Sequence, residues 1–168
     1  MEIKDRPKIA IKKTKLEIAI DVTTIILFVI FTVYFTQQWR TLPNELPIHF
    51  NMKGEPDGWG GKWVAWIPLI IGLILWIGLS KLEKYPHTYN YLNLNLENAE
   101  RQYKNARIMI NIMKAEITIL FMYISWMIIG SSSEKESAIN NGWIPILIFI
   151  IVLFGSIAFF IHRSFKLK

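Results

Sequence analysis

Residues 143–161 read WIPILIFIIVLFGSIAFFI, nineteen consecutive positions without a charged side chain. A helix crossing about 30 Å of hydrocarbon needs about 20 residues at a rise of about 1.5 Å each, so this run is long enough to span a bilayer. Three runs of the same character precede it: Ile18–Phe35, Trp63–Leu79 and Ile108–Ile129. Together the four runs hold only Asp21, Lys114 and Glu116 out of 32 charged residues. The remaining charges crowd into the connecting segments, a segregation that excludes an ordinary soluble domain and a disordered chain alike. Trp39, Trp63, Trp66, Trp76, Trp126 and Trp143 lie in or beside the runs, several at their ends, where an amphipathic ring prefers the headgroup layer. The expected fold class is an all-α integral membrane protein of four transmembrane helices, one membrane domain over residues 1–168.

The chain carries 19 Lys+Arg against 13 Asp+Glu, and the placement of the basic residues predicts its threading. Lys4, Arg6, Lys8, Lys12, Lys13 and Lys15 lie in or beside the N-terminal arm, Lys81, Lys84, Arg101, Lys104 and Arg107 in the segment 80–107, and Arg163, Lys166 and Lys168 at the end. The segments 36–62 and 130–142 contain only Arg40, Lys53, Lys62 and Lys135. The positive-inside rule places both termini and the middle loop in the cytoplasm, and the other two loops outside. The first run ends Val-Tyr-Phe-Thr-Gln-Gln-Trp, without a small-x-small cleavage site, so it is expected to remain as a signal anchor. With no cysteine, disulfides, thiolate metal sites and cysteine nucleophiles are excluded.

The outer loop 36–62 is rich in conformational constraint. Leu42-Pro43 and Leu46-Pro47 predict a stiff, non-helical arm, and Pro56-Asp57-Gly58 predicts a turn. Its pattern Leu42-Pro43-x-x-x-Pro47-x-His49-Phe50-Asn51-x-x-Gly54-x-Pro56-Asp57-x-Trp59-Gly60-x-Lys62 resembles the signature of an uncharacterised bacterial membrane domain. That domain also forms the N-terminal part of the sporulation-delaying-protein immunity proteins. Tyr89-Asn90-Tyr91, Glu97–Tyr103 and Ala106-Arg107 are similar to the cytoplasmic segment of four-span members, with Leu92 where those members often have proline. The resemblance implies a multi-pass fold in the bacterial plasma membrane, and more weakly a role in immunity.

His49 with Glu45, Glu55 and Asp57 has the donor types for a divalent metal, yet there is no paired-histidine spacing. Hydrogen bonding of His49 and Asp57 within the loop is expected instead, with Phe50 and Trp59 packing on the membrane-facing side and no metal or other cofactor. No nucleophile or phosphate-loop motif is present, so no enzyme is expected, and Ser131-Ser132-Ser133 reads as a connection.

The charges inside the runs are more informative, because an ionisable group in hydrocarbon is costly and faces protein, water or a partner. Glu17, Asp21, Thr24, Phe28 and Thr32 share one helical face, as do Asn111, Lys114, Thr118, Met122 and Ser125. Asp21 and Lys114 fall at similar depth and are expected either to pair or, for lysine, to snorkel. Asn95 is a candidate N-cap for one long helix from about Leu96 into the third span, with Glu97/Arg101 and Glu100/Lys104 as i,i+4 pairs. Trp66-Ile67-Pro68 and Trp143-Ile144-Pro145 open inward-running spans, and Ile26-Leu27-Phe28 and Ile119-Leu120-Phe121 lie in outward-running ones, a faint echo of two duplicated hairpins.

The sequence reading is a non-catalytic membrane protein whose outer loop recognises a membrane-active peptide or an envelope state. A small transporter using the polar faces of spans 1 and 3 is the alternative. The expected partners are the lipid bilayer, a peptide toxin at the outer face or a soluble regulator at the cytoplasmic loop. The mixed charge of that loop argues against nucleic acid, and the sequence leaves the oligomeric state open.

Overall fold

The computed structural model describes residues 6–51, 56–130 and 143–167. It contains α1 (Lys15–Gln38), β1 (Glu45–Phe50), β2 (Pro56–Gly61), a 3-10 turn (Lys62–Ala65) leading into α2 (Trp66–Leu82), a short 3-10 turn (Pro86–Thr88), α3 (Ala99–Gly130) and α4 (Trp143–Lys166). Among the described residues, four helices are long and apolar enough to cross a membrane. α1, α3 and α4 are longer than the apolar runs that announced them, because polar residues continue the hydrogen-bond ladder beyond the hydrophobic stretch, whereas α2 matches its run in length and is shifted by three residues. Ser131-Ser132-Ser133 and Gly54 lie outside the described residues.

Local chemistry sets the helix ends. Thr14 begins α1 with a capping box: the Glu17 amide donates to Thr14 Oγ1 at 3.2 Å, and the Thr14 amide donates to Glu17 Oε2 at 2.7 Å. Asn95 performs the expected capping ahead of α3, accepting from the Asn98 amide at 2.8 Å, while Asn98 Oδ1 accepts from the Asn95 amide at 2.9 Å. The chain turns once over 96–98 before α3 starts at Ala99. Pro68 and Pro145 sit in the first turns of α2 and α4, where an amide proton would have no helical acceptor.

α3 is the hub, and α1, α2 and α4 each pack against it. Its buried face runs Asn111, Lys114, Thr118, Met122, Ser125 and Ile129. Side-chain amides fasten α4: Asn105 Nδ2 donates to the Phe160 carbonyl at 3.0 Å, Gln102 Nε2 to that of Ser164 at 3.0 Å, and Asn98 Nδ2 to that of Leu167 at 3.1 Å. Two of these carbonyls belong to the last turn of α4 or lie just beyond it, where intrahelical donors run out. The faces turned away from α3 stay uncovered and apolar, including Ile26, Val29 and Ile30 on α1, Ile70 and Ile74 on α2, and Ile151 and Phe154 on α4.

The expected stiff arm proves to be an antiparallel β-hairpin, with Glu45 opposite Gly61, Leu46 opposite Gly60 and Pro47 opposite Trp59. The fully buried Leu46 joins Phe35, Leu42, Ala65, Leu69, Met122 and Ile129 in one apolar cluster, which binds the hairpin to the ends of α1, α2 and α3.

Candidate functional site

At the end of the bundle that carries the described chain termini, four charges meet from four segments. Lys114 of α3 places Nζ 2.7 Å from Asp21 Oδ1 on α1 and 2.7 Å from Glu83 Oε1, just past α2. Lys13, in the arm before α1, places its Nζ 2.6 Å from Asp21 Oδ2 and 2.6 Å from Glu83 Oε2. Each carboxylate thus gives one oxygen to each lysine. Asn111 Nδ2 donates to Asp21 Oδ1 at 2.8 Å and to Glu83 Oε1 at 3.2 Å, and Lys114 also donates to Ser80 Oγ at 3.1 Å. The Trp76 ring lies 4.8 Å from the same ammonium. Lys114 and Glu83 are each 1% exposed, so mutual compensation is what makes their charges tolerable. Glu83 also faces the negative end of α2, an unfavourable position that the two ammonium groups offset.

A second pair seals the flank of this cluster. Arg107 Nε donates to Glu17 Oε1 at 2.8 Å and Nη2 to Glu17 Oε2 at 3.0 Å, a bidentate contact with both side chains buried. Arg107 also donates to the carbonyls of Ile11 and Lys12, and Arg6 to those of His87 and Tyr89, so the arm lies strapped across the bundle end. Burial lowers the Lys13 pKa, but the attraction of Asp21 and Glu83 outweighs it and leaves the value raised above 10.5. Burial pushes the Tyr89 and Tyr91 phenols up, which keeps them hydrogen-bond donors: Tyr89 donates to the Leu82 carbonyl at 2.7 Å and Tyr91 to that of Pro86 at 2.8 Å.

The structure brings Asp21, Asn111 and Lys114 together, with the Lys114 side chain 1% exposed. Thr118 lies one turn further along α3, its hydroxyl donating to the Lys114 carbonyl at 2.8 Å. Beyond the charges, Thr118, Thr24, Phe28, Leu73 and Trp76 line a cavity of about 340 Å³. Sequence reading missed Glu83 and the role of Lys13. The available signal was the spacing Trp76-Ser80-Glu83, which puts all three on one face of α2 and its extension. Glu116, the remaining charge in the runs, accepts from Ser156 of α4 at 3.0 Å.

At the opposite end, the residues of the loop signature divide by role. Leu42 and Pro47 are buried, whereas Pro43, His49, Pro56, Asp57 and Trp59 are exposed and Asn51 half-buried. His49 Nδ1 meets Asp57 across the strands, as expected for a contact within the loop. Phe50 is the last residue of β1, opposite Pro56. The Lys62 amide donates to the Asn44 carbonyl at 2.9 Å, and its ammonium lies 5.0 Å from the Trp39 ring. Trp39, Phe35 and Trp66 form an aromatic knot, with Phe35 edge-on to Trp66 at 4.5 Å. Among the described residues no group of three His, Cys, Asp or Glu is placed to hold a metal ion.

Residues 25–77 match a family described as a domain of unknown function (DUF1648). The matched segment runs from the middle of α1 through the hairpin to the last third of α2, leaving Lys13, Asp21, Glu83 and Lys114 outside it. An uncharacterized protein of Archaeoglobus fulgidus is similar at 26% identity over 142 residues, 75% of each chain. No solved structure matches.

Proposed function

We propose that this is a non-catalytic, multi-pass protein of the bacterial plasma membrane, with both termini cytoplasmic, whose outer hairpin recognises a membrane-active peptide or an envelope state. The observation that carries this reading is the two-sidedness of the hairpin. Leu46 and Pro47 are buried against the helix ends, while Ile48 is 51%, Trp59 58% and the His49 side chain 72% exposed. A connection between two helices needs no such platform, and an exposed tryptophan on a rigid strand is a favoured recognition group. The resemblance of the loop to the immunity proteins, and its central position within the family match, support the same reading.

The test is survival of a deletion strain, complemented at native expression and challenged with a panel of membrane-active peptides. Trp59→Ala and Pro47→Ala should lose complementation, whereas His49→Gln, which keeps a hydrogen-bonding group toward Asp57, should retain it. Cys at Asn44 should react with an impermeant thiol reagent in intact cells, and Cys at the exposed Lys12 should not.

Transport is the second reading, favoured by the cavity of about 340 Å³ beside the buried charges. A transporter would be most sensitive at Asp21, Asn111, Lys114 and Thr118 and indifferent to Trp59. A soluble regulator at the cytoplasmic loop would be revealed by loss of function at the exposed Glu97, Glu100, Arg101 and Lys104.

A further inference from the structure

The two ammonium groups of the ionic cluster are not equivalent. Lys114 is held in the wall, with its side chain 1% exposed, between Asp21 Oδ1, Glu83 Oε1 and Ser80 Oγ. Lys13 reaches the cluster from a segment without regular structure, and its side chain is 36% exposed. Its partners are the other two carboxylate oxygens, Asp21 Oδ2 and Glu83 Oε2. Glu83 Oε2 is buried and meets the Lys13 ammonium at 2.6 Å. Asn111, fully buried within the same cluster, leaves Oδ1 without a hydrogen-bond partner.

We propose that the Oδ2 and Oε2 edges of Asp21 and Glu83 form an exchangeable site for a primary ammonium group, of which Lys13 is the resident occupant. Asp21, Glu83 and Lys114 sum to one negative charge, so the site requires one cation for neutrality. A primary ammonium has three donors, enough for both of these carboxylate oxygens and water. A divalent metal fits poorly: calcium takes six to eight oxygens, and the Lys114 ammonium stands in the same cluster. Exchange needs only a rotation of the Lys13 side chain. The arm's backbone stays fixed by Arg107 at the Ile11 and Lys12 carbonyls and by Arg6 at those of His87 and Tyr89. The competing group is the amine of a lipid headgroup or of a small free molecule. This site lies at the opposite end of the bundle from the hairpin and stands independently of the hairpin's role.

The experiment is chemical rescue of the full chain with Lys13→Ala, followed by thermal unfolding. In micelles free of amine lipid, methylammonium should raise Tm by about 2–4 °C. It should leave Lys13→Ala/Glu83→Gln unshifted and shift the unaltered protein less than Lys13→Ala, because Lys13 competes there for the same two oxygens. Tetramethylammonium, which has no N–H, and sodium serve as controls for charge alone. Comparison of nanodiscs containing phosphatidylethanolamine with discs of phosphatidylglycerol then separates the sources: stabilisation of Lys13→Ala by the ethanolamine lipid assigns the site to a headgroup, and stabilisation by methylammonium alone assigns it to a free amine. No shift with either, or an equal shift with tetramethylammonium or sodium, overturns the proposal. Lys13→Met, which keeps the alkyl chain, is carried in parallel. Failure of both variants to fold even when prepared in methylammonium overturns it as well.

Discussion

The two ends of the bundle are closed by opposite physics. At the terminus-bearing end, α1, α2, α3 and the arm meet through Asp21, Glu83, Lys114 and Lys13, with Glu17 and Arg107 alongside. At the hairpin end the same helices meet through Phe35, Leu42, Leu46, Ala65, Leu69, Met122 and Ile129. Charge pairing is directional and intolerant of a missing partner, because a stranded ion keeps its full desolvation cost. Apolar packing is graded, and its loss scales with the volume removed. The ionic end therefore specifies which segments join, and the apolar end sets how tightly the hairpin is held.

The largest difference should appear when one partner is removed at the ionic end. Lys114→Met strands Asp21 and Glu83 with only the partly exposed Lys13 between them, and should cost about 3–5 kcal/mol in a reversible unfolding assay in micelles. Adding Glu83→Gln should recover part of that loss, since one buried charge disappears. Strictly additive effects in the double variant would mean that Lys114 and Glu83 do not interact, and would remove the contrast between the two ends.

Leu46→Ala tests the apolar end. Deleting a fully buried leucine side chain from the hairpin cluster should cost about 2–3 kcal/mol, the lower part of the usual range because a two-stranded edge can relax. The loss should be concentrated in the hairpin, read as a larger rise in amide exchange over the unaltered protein at residues 57–61 than in α3. Uniform loosening of the whole bundle would mean that the hairpin carries the helices rather than rests on them.

A glycine pair in α2 sharpens the comparison at intermediate height. A Cβ at Gly72 would lie 3.0 Å from Phe121 Cβ on α3, whereas one at Gly78 meets nothing within 4 Å. Small residues let helices approach closely, so Gly72→Ala should push α2 away and cost about 1–2 kcal/mol. Gly78→Ala should be neutral or slightly stabilising through helix propensity. Equal effects at both positions would show that α2 does not seat against α3 at Gly72.

Much of this architecture was legible in the chain. The segregation of charge marked the four apolar helices, and helical periodicity put Asp21, Asn111 and Lys114 on facing stripes. Asn95 carried its capping chemistry openly. The Thr14-x-x-Glu17 box was equally visible, but it lay among six basic residues that drew the reading toward topology. Glu83 was hidden because it follows an apolar run among Lys81 and Lys84, where an acid reads as solvated. Its meaning depends on how α2 and α3 meet, which periodicity within either helix cannot supply. The hairpin was read as constrained rather than as paired strands, since Pro43, Pro47 and Pro56 suppress the alternating pattern that marks a strand.

The smallest effect concerns pH and isolates Lys13 from the rest of the ionic end. Its pKa in the folded chain is raised above 10.5 by Asp21 and Glu83 against the opposing influence of burial. A base held more strongly in the folded state stabilises the fold while it is protonated in both states. The contribution is therefore fully present below pH 10.5 and is lost as the pH rises through the higher folded-state value. Because the side chain is 36% exposed, water screens the interaction and the decline should be shallow. Thermal stability followed upward from neutral pH should show this alkaline limb in the unaltered protein and a weaker one in Lys13→Met. The Lys114→Met variant, which leaves Lys13 as the sole cation between the two carboxylates, should show a steeper limb. An identical alkaline decline in all three proteins would place the loss elsewhere and detach Lys13 from the cluster.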